Sequence, residues 1–136
     1  MERYESWIDR AKSSYGMAIM PNSLGIHIYY EDLCYQLQQS VEKALKGLLI
    51  YYGAEPEFTH NIEILFTDIE KYIEIPINIK QSMKLTIYAV QTRYPGEYDD
   101  VTKEEYEKSI KTAKECIDWV EKTIEENKKT NDAEQN

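Results

Sequence analysis

Gln38-Gln39-Ser40-Val41-Glu42-Lys43-Ala44-Leu45-Lys46-Gly47-Leu48-Leu49 carries the period of an α-helix. At about 100° per residue, Leu37, Val41, Ala44, Leu45 and Leu48 share one face. Gln39, Glu42, Lys43 and Lys46 form a stripe on the other. One face is expected to pack and the other to present fixed charge. Working outward, Tyr30, Cys34 and Leu37 continue the apolar row, so the spacing predicts one long helix from about Tyr29 to Tyr52. Gly53 is its expected C-terminal cap.

Upstream, Tyr4, Trp7, Ile8, Ala11, Tyr15, Ala18 and Ile19 follow the same period and predict a helix from about Arg3 to Met20, stopped by Pro21-Asn22-Ser23. Downstream of the turn Ala54-Glu55-Pro56-Glu57, Ile62, Leu65, Phe66 and Ile69 predict a shorter helix from about Asn61 to Tyr72, with Thr59 or Asn61 as its cap. Ile79, Met83, Ile87 and Val90 predict another from about Asn78 to Tyr94, which Pro95-Gly96 cannot continue. The isoleucine-rich Tyr72–Ile79 run reads as a connection because of Pro76. Thr102-Lys103-Glu104-Glu105 has the form of a capping box, and Tyr106, Ile110, Ala113, Ile117, Val120 and Ile124 repeat behind it. The expected fold is all-α, an up-and-down bundle of four to five helices over residues 1–125. Residues 126–136 hold no large apolar side chain to offset ordering entropy and read as a polar, disordered tail.

A chain of 136 residues suits one domain. Sixteen basic against twenty-five acidic residues give a formal charge of −9, the wrong sign for sequence-independent attraction to a phosphate backbone, so any nucleic-acid contact must be local. Met1-Glu2-Arg3-Tyr4-Glu5 lacks the basic and apolar regions of a signal peptide, and no apolar run reaches membrane-spanning length. A soluble cytoplasmic protein with no membrane contact is expected. Cys34 and Cys116 lie on helical apolar rows, away from any metal-binding spacing, and read as buried thiols. No metal and no cofactor is expected. Twelve tyrosines against two phenylalanines suggest rings at the core edge, at helix ends or along a dimer seam.

Three sets of residues are candidates for chemistry. Arg93 lies in the last turn of its predicted helix, where a guanidinium can hold a phosphate through two parallel hydrogen bonds or simply satisfy terminal carbonyls. His60 lies at a helix entrance, where it would face an anion beside free amides or serve as a cap. Lys43 and Lys46, oriented by Glu42, could contact phosphate, or Glu42 and Lys46 could form an ordinary surface pair. His27 stands in a loop and is assigned no role.

The Gln-x-x-Glu-Lys-x-x-Lys helix, then Thr59-His60-Asn61, then Arg93-Tyr94-Pro95-Gly96, resemble the HEPN family in order and separation, from about Trp7 to Thr123. The resemblance implies a helical homodimer that binds a nucleotide or a nucleic-acid phosphate in a cleft of Arg93, Lys43 and His60, with Glu42, Lys46, Gln39 and Tyr94 around it. It also implies a two-protein module of toxin–antitoxin type, with a minimal nucleotidyltransferase as partner. Family ribonucleases place a His beyond the Arg with four to six residues between the two. Here the first such position holds Tyr98, and no histidine follows His60. The chain is therefore expected not to be an enzyme. The alternative is a metal-independent RNA-cleaving toxin using Arg93 with His60 or Tyr98, and a third reading is a non-catalytic helical dimer. Relatives also carry an Asp in an Ala-x-x-Asp pattern where this chain has Ala11 and Ser14.

Overall fold

The long central helix forms as its periodicity predicts, and in the computed structural model it is the element around which the others pack. The structure describes residues 3–20, 24–90 and 100–135. In order, these hold α1 (Tyr4–Ile19), α2 (Tyr30–Tyr51), α3 (Ile62–Ile69), α4 (Ile77–Lys80), a 3₁₀ turn (Gln81–Thr86), α5 (Ile87–Val90) and α6 (Lys103–Gln135). No strand occurs among the described residues.

Local chemistry sets the helix ends. At the close of α2, Gly53 adopts φ 86°, and the amides of Gly53 and Ala54 donate to Ile50 and Leu49 carbonyls, each at 2.9 Å. This is a Schellman closure, which glycine enters without Cβ strain. Asn61 Oδ1 accepts from the Glu63 amide at 2.9 Å to start α3, and Thr102 Oγ1 accepts from the Glu105 amide at 3.1 Å to start α6. α3 is shorter than its periodicity predicts: it ends at Ile69, after which Glu70–Tyr72 form turns.

α1 lies antiparallel to α2, with Tyr4 edge-on to Tyr51 at one end and Lys43 bonded to Ser14 nearer the other. α6 runs parallel to α2: Tyr30 stacks on Tyr106, and the Tyr51 hydroxyl donates to Asn127. Leu37, Val41, Ala44, Leu45 and Leu48 of α2 are fully buried against Ile8 and Ala11 of α1 and Ala113, Ile117 and Val120 of α6. α3 adds Ile62, Leu65, Phe66 and Ile69. α1 and α2 approach so closely that a Cβ on Gly47 would stand 3.1 Å from Trp7 Cβ and 3.0 Å from Ile8 Cδ1. The isoleucine tip can turn aside, but Trp7 Cβ moves only with its helix. Gly47→Ala should therefore cost about 1–2 kcal/mol despite alanine's better helix propensity. A urea midpoint at or above that of the parent would show that the helices separate without penalty.

After α2 the chain doubles back. Residues 54–61 return along α2 until the His60 carbonyl meets Gln38 Nε2 at 3.1 Å, and α3 then runs beside α2 in the same direction, so that Tyr72 stacks on Tyr52. The connection covers what periodicity assigned to solvent.

Two further expectations differ from the structure. The helix predicted from Asn78 to Tyr94 begins at Ile77 and is 3₁₀ over Gln81–Thr86, and its last four residues lie outside the described ones. The tighter 3₁₀ winding brings the Thr86 hydroxyl to the Ile62 amide at 3.1 Å and keeps Ser82 buried beside Cys116. The tail expected to be disordered is instead helical through Gln135. Tyr51 holds Asn127, Lys128 sits over the Tyr4 ring, and Lys129 pairs with Glu125. Local pairs and side-chain anchors thus extend a helix already begun.

Candidate functional site

Half of the polar stripe of α2 is inside the protein: Glu42 and Lys46 are buried, whereas Gln39 and Lys43 are half-buried. Glu42 is 4% exposed and Lys46 8% exposed, and Gln38 is fully buried. This overturns the expectation of a solvated charged face. α1 covers one flank of α2, and the returning segment with α3 covers the other, so the stripe forms the floor between them. A carboxylate removed from water needs partners. Glu42 Oε1 lies 2.7 Å from His60 Nδ1, and Oε2 lies 3.9 Å from Lys46 Nζ.

His60 is the exposed member of this group: its side chain is 60% accessible. With Glu42 ionised, Nδ1 must carry the proton and donate, which leaves Nε2 turned away from the carboxylate. Further bonds fix the backbone under the ring. Gln38 holds the His60 carbonyl, and Gln39 Nε2 donates to Gln38 Oε1 at 2.8 Å. Thr59 Oγ1 accepts from the Asn61 amide at 3.0 Å. The imidazole is therefore oriented by a buried carboxylate and carried on a tethered loop.

Lys43 faces the other wall. Its Nζ donates to the Ser14 hydroxyl of α1 at 2.8 Å, and Ser14 is fully buried. Ser14 stands where the family resemblance calls for Asp, so this ammonium rests on a neutral acceptor. Lys46 is thus the ammonium beside Glu42, whereas Lys43 is held by a serine on the opposite flank.

Of the residues singled out in the sequence, the structure joins Glu42, Lys46 and His60 directly and Gln39 through Gln38, with Lys43 on the opposite flank. Arg93, Tyr94 and Tyr98 lie outside the described residues. Gln38 and Ser14 are the members that the stripe did not include. The signal for Gln38 was its spacing, four residues before Glu42 and eight before Lys46, which places all three along one line of the helix.

Cys34 and Cys116 are both buried, as their positions on apolar rows predict. Burial pushes the Cys34 thiol up to about 11 and the Cys116 thiol up to about 12. Both stay protonated at neutral pH, which rules them out as nucleophiles there.

The model of the HEPN domain family matches residues 4–123, and the chain belongs to that family. Among solved structures it is similar to ST0689, described as an archaeal HEPN homologue, with a TM-score of 0.71 and 31% identity over 91% of this chain and 99% of that one. TT1696 from Thermus thermophilus is also similar, with a TM-score of 0.74 and 28% identity over 90% of this chain and 98% of that one. No curated protein matches. Among the described residues, no helix is long and apolar enough to cross a membrane.

Proposed function

We propose that this protein binds a nucleotide or a nucleic-acid phosphate at the seam between α1, α2 and the returning segment. In this reading it acts as a homodimer, one half of a two-protein module with a minimal nucleotidyltransferase. The observation that carries the reading is the pairing of a 4% exposed Glu42 with a 60% exposed His60 side chain. A buried carboxylate spent on aiming a surface imidazole is poorly explained by stability alone, because an apolar residue would cost less there. Lys43 on its neutral serine supplies the counter-charge for a phosphate. The apolar exposure of Met17, Ile19, Met20, Tyr29 and Tyr35 around the end of α1 and the start of α2 supports the homodimer.

Thermal unfolding in the presence of nucleotides tests the site. A nucleotide at one hundred times its Kd should add about 2.7 kcal/mol to the parent, and His60→Ala or Lys43→Met should remove most of that gain. A parent whose midpoint is moved by neither nucleotide nor short single-stranded RNA would end this proposal. RNA cleavage is the second reading, favoured by the same oriented imidazole, since a general acid or base needs that positioning. Labelled single-stranded RNA left uncut without added metal at neutral pH would exclude it.

A further inference from the structure

Past the Schellman turn, the connection that follows α2 and the far end of α3 border a hollow of about 190 Å³. Leu49 and Ala54 give it an apolar lining, and Tyr72 adds an aromatic ring. Every other lining residue is charged: Glu55, Glu57, Asp68 and Lys71. Lys71 pairs with Asp68 at 3.4 Å, which leaves Glu55 and Glu57 without an ion-pair partner among the described residues. Three carboxylates against one ammonium make the hollow attractive to a cation and unfavourable for a phosphate.

The ring in this lining is fixed. Tyr72 stacks on Tyr52 with centroids 4.9 Å apart and planes within 4° of parallel, yet 46% of the residue stays exposed. Tyr52 in turn meets Tyr51 at 5.4 Å, and Tyr51 meets Tyr4 at 5.2 Å. At the other end of this row, Lys128 Nζ sits over the Tyr4 ring, 5.1 Å from its centroid. One terminal ring of the row thus already carries a cation from the chain itself. The opposite terminal ring, Tyr72, lines the hollow together with the two unmatched carboxylates.

Size and charge distribution narrow the guest. Among the described residues, no three carboxylate, imidazole or thiol side chains converge closely enough to hold a metal ion. The hollow is smaller than the roughly 300 Å³ at which pockets for whole drug-sized ligands begin, so it suits a single functional group. A guanidinium meets both conditions: it is flat, it stacks on an aromatic face, and its five N–H donors can serve two carboxylates at once. An ammonium is a compact point charge and gains less from a flat ring.

We infer that the hollow bordered by Glu55, Glu57 and Tyr72 binds a guanidinium group, carried by a free alkylguanidine or by an arginine side chain of a partner. The site is separate from the seam and does not depend on the phosphate reading. Leu49 lies seven residues beyond Glu42, which is about 10 Å along α2.

Titration of the full chain with ethylguanidinium and with propylammonium, followed by amide chemical shifts, tests this, because the two probes share a charge and differ in shape. Saturable shifts should be confined to residues 54–57 and 68–72, and ethylguanidinium should bind about threefold more tightly. The double variant Glu55→Gln with Glu57→Gln alters two exposed side chains and should weaken both probes about tenfold. Tyr72→Leu should bring ethylguanidinium down to the level of propylammonium, and His60→Ala should change neither. Unsaturable shifts spread over all surface carboxylates, equal affinities in the parent, or a double variant that binds like the parent would overturn the proposal. A capped Gly-Arg-Gly peptide separates the two sources: binding tighter than ethylguanidinium assigns the site to a partner's arginine, and equal or weaker binding assigns it to a free alkylguanidine.

Discussion

Glu42→Ala should destabilise the protein by about 3 kcal/mol, because it strands the Lys46 ammonium in a place that excludes water. In a domain of this size that is a fall of roughly 10 °C in Tm. The loss has two parts: Lys46 loses its counter-charge, and His60 loses the acceptor that fixes its ring. Glu42→Gln keeps an oxygen for Nδ1 but removes the charge, so it should cost less than the alanine and still exceed about 1 kcal/mol. The double variant Glu42→Leu with Lys46→Met removes the buried pair altogether and should recover most of the lost stability. Urea midpoints followed by circular dichroism read all three. An alanine variant within about 0.5 kcal/mol of the parent, or a double variant no better than the single one, would contradict the account of the seam.

Phe66→Ala should cost about 3–5 kcal/mol and act on the site from a distance. α3 has eight residues, too few to persist in water without tertiary contacts. Ile62, Leu65, Phe66 and Ile69 dock it, and Phe66 is the largest of them. Deleting the ring leaves a cavity against α2 and loosens the element that follows His60 by two residues. Amide exchange over residues 54–69 should accelerate ahead of α1 and α6, and nucleotide stabilisation should fall although no seam residue has changed. Phe66→Leu refills most of the volume and should cost about 1–2 kcal/mol. A Phe66→Ala cost below about 1 kcal/mol would mean that α3 is held by something other than its apolar row.

Much of the fold was legible. Leu37, Val41, Ala44, Leu45 and Leu48 named the buried face of α2, and Gly53, Asn61 and Thr102 marked helix ends at which the structure finds a Schellman closure and two side-chain caps. The all-α class followed from these, and so did membership of the HEPN family, which the order of the Gln-x-x-Glu-Lys-x-x-Lys, Thr-His and Arg-Tyr-Pro elements pointed to and the family comparison bears out. Less legible was which polar groups lie inside. Gln39, Glu42, Lys43 and Lys46 looked like one charged surface, yet Glu42 turns to His60 while Lys43 turns to Ser14. Helical period gives the angle of a side chain about its axis and says nothing of what stands over it. The tail was missed for a related reason. Composition reports how little it can bury, but Asn127 and Lys128 are anchored by Tyr51 and Tyr4, more than seventy residues away along the chain.

The sequence by itself determined where the main helices begin and which face of each is apolar, because propensity, capping and periodicity act over a few neighbouring residues. Tertiary structure alone decided that the charged row of α2 became an interior seam with an imidazole at its mouth. That outcome depends on residues 54–61 folding back over a helix already complete, and on Gly47 letting α1 close the opposite side. Burial is a property of the whole packed chain, and Glu42 needs His60, eighteen residues further on, to arrive before its Oε1 has a hydrogen-bond partner.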